Sequence, residues 1–492
     1  MLALIAVAFC IVVRGEDAYL TITQPLDHGC VGSTCETFEQ SYVWINDTGY
    51  ERGGPVVLFV GGESSKYNYQ TRLSQFVKYC FMTKATFVEL EHRFYGASVP
   101  DFSSSSSSSV EPFSVQNLQY LTVEQALDDI HAFAQYFQNK YMPAGTKWFI
   151  AGEGYGGSLA AWYTSRHAVG HPEFVSDSDG GSDGAAEMFI GSIASSAPIE
   201  AKVDYSAYLQ SFGQAAVDMA AIDADGNTNP AGDASGRGAA CASALRNGTR
   251  AIDSLFADSA SNSNSSSRRA LAQAFGACET TISAENEFFF KWMVSEVIAS
   301  TLELNTAPAW SLNRTCEAAL DRAAEGANGN GSSNINIGIS ESVAAVQRAF
   351  AWNMQYDYEL CIEECNGTTP LQRVSEVLTR PLVVVIDGDS SGGGSSSSCV
   401  SFDEAGWLAS LGNESNSQRA WWWQRCSQLG WFHGTAADSN ASNNNNGSTA
   451  AAAAAGVFFP GLGVDRLLGY CASMFQVRAQ SHGGMRAQHH CG

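Results

Sequence analysis

Residues 151–158 read Ala-Gly-Glu-Gly-Tyr-Gly-Gly-Ser, and this octet restricts the fold more than any other stretch. It follows a strand-like run, Trp148-Phe149-Ile150, and leads into an apolar helical stretch, Leu159-Ala160-Ala161-Trp162-Tyr163. Glycine enters left-handed backbone freely and lets other backbone come close, so it suits a chain that must turn within a few positions. A strand, a tight turn and a helix therefore succeed one another here. The surrounding sequence agrees. Residues 55–60 form a continuous apolar run ending in Gly61-Gly62, as expected of a strand buried on both faces, and residues 86–90 form a second. Residues 148–150 and 188–193 bring the strands to four, while residues 121–137 carry helical periodicity, with Thr122 and Gln125 at capping-box spacing. Strands separated by helices predict an α/β fold with a mostly parallel sheet.

The turn has the spacing of a nucleophile elbow, Gly-x-Ser-x-Gly, the corner on which a hydrolase presents its attacking serine. Gly152-Glu153-Gly154-Tyr155-Gly156 matches at every position except the chemical one, because Gly154 stands where the serine belongs. A Ser-His-Asp site needs a hydroxyl, a base that takes its proton and a third group that orients the base. Ser158 is the nearest hydroxyl, about one helical turn past the tip, and its plainer reading is helix packing. Ser195 and Ser196 end a strand and read the same way. Asp387, with Asp389 beside it, closes a buried-strand pattern over residues 381–386 and is the candidate acid, although Asp-Gly turns at strand ends are common. As bases, His92 belongs to a turn, His433 to an aromatic segment, and His489 and His490 to the last residues; none stands out. Backbone donors outlast the loss of a serine, and the N–H groups of Tyr155 and Gly62 are placed as an oxyanion hole would be. Glu63, Glu89, Glu91 and Glu153 either lend the pocket a negative charge suited to a peptide amine or, more plainly, are solvated turn residues and partners of Arg93.

Composition narrows the setting. The net charge of −23 leaves no cluster of Lys and Arg to replace the counterions of nucleic acid, and no basic face for an anionic membrane. Residues 2–13 form an apolar run too short to span a bilayer, followed by Arg14 and Gly15; we read it as a secretory signal peptide, with a buried N-terminal strand as the alternative. No later stretch is long and apolar enough to cross a membrane. Beyond Cys10 the cysteines are even in number, which in a secreted chain suggests disulfides, with local loops at Cys30/Cys35 and Cys361/Cys365. Neither pair has zinc-ligand spacing, so no metal or other cofactor is expected. The sequons at Asn46, Asn247, Asn313 and Asn366 are the preferred glycosylation sites.

Several ordered blocks together resemble one family of serine exopeptidases, which includes lysosomal Pro-Xaa carboxypeptidase, dipeptidyl peptidase II and thymus-specific serine protease. They are Gln24-Pro25-Leu26-Asp27-His28, Thr37-Phe38-Glu39-Gln40-Ser41-Tyr42, Gly61-Gly62-Glu63, Glu91-His92-Arg93-Phe94-Tyr95-Gly96-Ala97-Ser98-Val99-Pro100, Leu118-Gln119-Tyr120-Leu121-Thr122-Val123-Glu124-Gln125-Ala126-Leu127, the elbow, Ala194-Ser195-Ser196-Ala197-Pro198, and Arg419-Ala420-Trp421-Trp422-Trp423-Gln424-Arg425-Cys426. The resemblance implies an α/β-hydrolase core with a helical cap inserted after the first half of the sheet, and cleavage beside proline in short peptides. It also implies a serine at position 154, a later Asp-Pro-Trp strand end carrying the acid, and a still later histidine. Gly154 departs from the first, and no block matches the other two.

The expected organisation is a signal peptide over residues 1–15, a first part of the core over 16–204, a helical cap with low-complexity loops over 205–415, and an incomplete, truncated return to the core over 416–492. The expected function is that of a secreted, lysosomal or vacuolar exopeptidase relative, inactive as written, with short proline-containing peptides as partners. The alternatives are an active carboxypeptidase or dipeptidyl peptidase whose sequence is in error, and a non-catalytic peptide-binding glycoprotein.

Overall fold

A computed structural model of the chain describes residues 18–45, 51, 53–63, 75–103, 111–166, 188–219, 237–261, 265–302, 311–320, 340–362, 384–386, 399–435 and 456–475. Contacts divide the chain into two units, Met1–Glu200 with His489–Gly492, and Ala201–Gln488.

The first unit carries six strands: β1 (Ala18–Pro25), β2 (Thr37–Ile45), β3 (Val56–Val60), β4 (Thr86–Leu90), β5 (Trp148–Glu153) and β6 (Phe189–Ser195). They lie in the order β1-β2-β4-β3-β5-β6. β4, β3, β5 and β6 run parallel, and β2 joins β4 antiparallel, with β1 antiparallel on its far side. The four expected strands are therefore present, and β1 and β2 extend them. From β3 the chain first crosses to β4 on one side and then to β5 on the other. The carboxyl ends of β3 and β5 thus flank the point where the strand order reverses, the place where an open α/β sheet offers a crevice for ligands.

Helices α1 (Gln75–Thr83), α2 (Val123–Tyr141) and α3 (Gly154–Arg166) belong to this unit, with a single helical turn at Val115–Leu118. α2 starts where its cap predicts: the Thr122 hydroxyl accepts from the Gln125 N–H at 3.2 Å. Only half of the capping box forms, since the Gln125 side chain reaches Asp27 at 2.7 Å and the His28 N–H at 2.9 Å. The buried stripe of α2 includes Ala126, Ile130, Phe133 and Phe137. Phe133 meets Tyr42 of β2, and Phe137 meets Trp148 of β5. Burying each such phenylalanine stabilises the fold by about 1.5–3 kcal/mol. A second apolar cluster joins Phe76, Val77 and Cys80 of α1 to Val43, Val57, Phe87 and Ala151 of the sheet. Cys80 is unpaired there, and burial pushes its thiol up to about 12.

The second unit is mainly helical: α4 (Ala207–Met219), α5 (Arg237–Ser261), α6 (Ser265–Phe275), α7 (Glu287–Ala299), α8 (Ser311–Leu320), α9 (Glu341–Ile362), α10 (Glu404–Gly412), α11 (Gln418–Gln424) and α12 (Val464–Phe475). Disulfides Cys241–Cys316, Cys278–Cys399 and Cys426–Cys471 staple it, and Cys30–Cys35 closes the expected loop in the first unit. Of the expected Cys361/Cys365 pair, Cys361 belongs to α9 and Cys365 lies outside the described residues. Trp292 of α7, Trp407 of α10, Trp422 of α11 and Tyr470 of α12 share one aromatic core. Trp407 and Trp422, on either side of the 415/416 boundary, pack together in that core. Gly430–Phe432 pairs with Lys202–Asp204 in a two-stranded ribbon, and no described residue after Ser195 adds a strand to the six-stranded sheet. Of the strand expected over 381–386, Val384–Ile386 is extended and pairs antiparallel with Cys399–Ser401, apart from the six-stranded sheet. A short apolar run tells that a segment is extended but not which strand it joins. The low-complexity stretches fall largely outside the described residues, although 259–261 and 265–267 are helical.

Candidate active site at the glycine elbow

The elbow forms where the octet predicts, between β5 and α3. Gly154 has φ +53°, the left-handed region that costs other residues strain, and a Cβ built on it would meet nothing within 4 Å. Its neighbours are glycine for a different reason. A Cβ on Gly152 would lie 2.3 Å from the Gly156 carbonyl oxygen, and one on Gly156 would lie 2.4 Å from the Val60 carbonyl oxygen. The tip is open, and its two sides are closed by backbone. The same packing brings the loop after β3 against the elbow, since a Cβ on Gly62 would approach the Gly156 nitrogen to 3.2 Å. Tyr155 lies in the first turn of α3, where backbone N–H groups have no partner within the helix. The two amide-bearing segments singled out as an oxyanion hole, at Tyr155 and Gly62, are thus neighbours.

Beneath the elbow lies a buried polar network that none of the single motifs announced. The Arg93 guanidinium, fully buried, forks onto Asp129 with Nε–Oδ2 and Nη2–Oδ1 distances of 2.6 Å each. Arg93 also donates to the carbonyls of Leu26 and Tyr120 at 2.9 Å. His28 Nε2 lies 2.7 Å from Asp129 Oδ1, and the Gln40 amide donates to the Glu91 carbonyl at 2.8 Å. Burial opposes charge on Asp129, but Arg93 and His28 outweigh it and hold the carboxyl below its ordinary value. Charged groups this deep are tolerated because they are paired and hydrogen-bonded. The blocks at residues 24–28, 37–42 and 91–98 thus converge on one structure that holds the ends of β2 and β4 together. Asp129 escaped the sequence reading. The available signal was a carboxylate on the apolar stripe of α2, between Ala126 and Ile130.

The acidic residues sort themselves differently from expectation. Arg93 pairs with Asp129 and not with any of the four glutamates. Glu91 is buried and accepts from the Ser98 hydroxyl at 2.6 Å and the Ala97 N–H at 3.0 Å, fixing the turn after β4. Glu89 is buried within β4, so neither it nor Glu91 is a solvated turn residue. Glu153, one residue before the tip, opens to solvent, yet the protein around it raises its carboxyl above the ordinary value by desolvation. Glu63, following Gly62, is half-buried.

Ser158 is fully buried, and its hydroxyl lies 3.3 Å from the Gly154 carbonyl and 3.2 Å from the Pro198 carbonyl, one of which accepts its hydrogen bond. It points under the elbow, as a packing serine does. Ser195 closes β6, and Ser196 follows it with φ +49°. His92 Nε2 lies 3.1 Å from the Tyr155 hydroxyl. His433 belongs to the second unit, where Glu296 holds its Nδ1 at 3.1 Å and Tyr208 stacks on its ring. Asp387, Asp389, His489 and His490 lie outside the described residues. No group of three His, Cys, Asp or Glu among the described residues is arranged to hold a metal ion, and no described helix is long and apolar enough to cross a membrane.

Comparison with known proteins gives this corner its context. A Caenorhabditis elegans protein, K12H4.7, whose name places it among the serine proteases, is 24% identical over 85% of this chain and 64% of its own length. Lysosomal Pro-X carboxypeptidase of Bos taurus is 31% identical over 36% of this chain and 31% of its own. Thymus-specific serine protease of Mus musculus is 32% identical over 38% and 32% respectively. The chain therefore spans less than two thirds of the length of these relatives. The family model described as serine carboxypeptidase S28 matches residues 24–369, from the first residue of the buried network through the elbow and well into the helical unit. With the parallel sheet, the glycine elbow and that match in agreement, the chain belongs to the S28 family of serine peptidases.

Proposed function

We propose that this protein is a peptide-binding member of the S28 family that does not hydrolyse its ligand, because the elbow tip carries no hydroxyl. The observation that carries the reading is Gly154 itself: the turn keeps the backbone of a nucleophile elbow, φ +53° with open space before it, but has no atom with which to attack. Acyl transfer through this corner needs a nucleophile at that atom, and Ser158, turned beneath the elbow, does not supply one. What remains is backbone polarity: the Tyr155 and Gly62 amides as donors toward a peptide carbonyl, with Glu63 and Glu153 on the flanking segments as partners for an amine. Membership of this family supports short proline-containing peptides as the ligand class. The disulfides, and relatives named as lysosomal and extracellular peptidases, support residence in a lysosome or outside the cell, reached through a cleaved signal at residues 1–15. Glycans at Asn46, Asn247, Asn313 and Asn366 belong to the same reading; Asn247 is exposed and Asn313 partly so.

The test uses the full chain. A fluorophosphonate probe should leave it unlabelled, Ala-Pro-Ala should not be cleaved, and calorimetry should detect that tripeptide binding. Stoichiometric labelling or turnover would overturn the proposal. A second reading, an active peptidase whose true residue 154 is serine, is favoured by the vacant space at the tip. Sequencing the transcript separates the two.

A further inference from the structure

The residue after the tip is held from a different strand. Tyr155 is buried, its ring leans on His92 at 5.3 Å, and its hydroxyl lies 3.1 Å from His92 Nε2. His92 Nδ1 lies 2.7 Å from the Arg93 carbonyl, which accepts only, so Nδ1 carries the proton. Nε2 is then a bare acceptor, and the Tyr155 hydroxyl donates to it. The His92 ring is braced in turn: Tyr95 meets it edge-on at 5.4 Å, the Tyr95 N–H donates to the His92 carbonyl, and Arg93 next to it is locked onto Asp129. His92 therefore offers a fixed point just past the end of β4 to a side chain in the first turn of α3.

This matters more in a chain with glycine at the tip. The peptide plane bearing the Tyr155 N–H is oriented by ψ of residue 154 and φ of residue 155. Glycine at 154 constrains its half weakly, so the other half depends on how firmly the Tyr155 side chain is held. We propose that His92 is a positioning residue for the elbow, fixing through the Tyr155 hydroxyl the direction of the Tyr155 amide that meets a bound peptide. The proposal rests on the peptide-binding reading for its purpose, but not for its geometry. Burial pushes His92 down to about 4, so the acceptor stays neutral in an acidic compartment as well as at neutral pH.

The experiment uses the full chain labelled with nitrogen-15 in tyrosine and histidine. The imidazole spectrum of His92 should show a protonated Nδ1 and an unprotonated Nε2 at every pH from 7 to 5, and the Tyr155 amide should give one sharp line over that range. Tyr155→Phe removes a single oxygen, and His92→Leu removes the acceptor; each should shift or broaden that amide and weaken Ala-Pro-Ala binding about five- to tenfold, the loss of one buried hydrogen bond. His92→Gln, which keeps an acceptor, should restore most of both. A purely structural role would lower the melting temperature of all three variants without this rescue pattern. An Nε2-protonated ring, or a Tyr155→Phe amide line unchanged from wild type, would overturn the proposal. If wild type binds no peptide while the amide responds as expected, the peptide-binding reading fails and the positioning role stands.

Discussion

Substituting the glycines of the elbow one at a time separates the conformation of the tip from the space around it. At Gly154 an added Cβ meets nothing within 4 Å, so the main cost of serine or alanine is holding an L-residue at φ +53°, about 1–2 kcal/mol. At Gly156 the same methyl group lies 2.4 Å from the carbonyl oxygen of Val60, and at Gly152 it lies 2.3 Å from that of Gly156. Both obstacles are backbone, which no change of rotamer relieves, so the elbow must open or the sheet must shift. We expect about 3 kcal/mol or more for either, at the upper end of what overpacking costs. Thermal unfolding of the full chain is the assay. In a unit of this size each kcal/mol moves the midpoint by about 2–4 °C. Gly154→Ser should therefore melt only a few degrees below wild type. Gly156→Ala and Gly152→Ala should melt roughly 10 °C lower or fail to accumulate. A Gly154→Ser variant as damaged as Gly156→Ala would refute the reasoning, because it would mean that the space at the tip is not there.

Two further outcomes follow from the network under the elbow. His92 takes up a proton near 6.5 when unfolded and only near 4 when folded, so between those values the unfolded state binds more protons and stability rises with pH. Its contribution is complete above 6.5 and is lost on acidification toward 4, by about 3 kcal/mol; denaturant titrations at pH 7 and pH 4 should show a smaller pH-dependent loss in His92→Gln than in wild type, and an equal loss would refute the assignment. Asp129→Asn leaves the Arg93 guanidinium buried without its counter-charge, which should cost about 3–5 kcal/mol; a change below about 1 kcal/mol in urea unfolding would show that the pair contributes little.

Strands β3, β4 and β5 were legible because a strand buried on both faces leaves a mainly apolar run, broken in β4 by Glu89, and the start of α2 because Thr122 caps it locally. β1 and β2 were not recognised as strands. Their inward-facing positions include Gln24 and Gln40, polar residues buried against each other and Asp129, and this interrupts the apolar alternation that marks a half-buried strand. Val384–Ile386 was legible as extended but not as part of a ribbon with Cys399–Ser401, since the sheet a strand joins depends on residues far away in the chain.

By itself the sequence determined the elbow and its defect. Glycines at 152, 154 and 156 impose the turn through local sterics, and the missing hydroxyl at 154 is a covalent fact that no folding can amend. The tertiary structure decided which glycines are forced by space and which by φ, that Ser158 points beneath the tip, and that Arg93 answers to Asp129. It also decided that His92 faces Tyr155. These pairings span 36 and 63 residues of chain. Their strength comes from exclusion of water around both partners, a property that exists only once the sheet and α2 have closed over them.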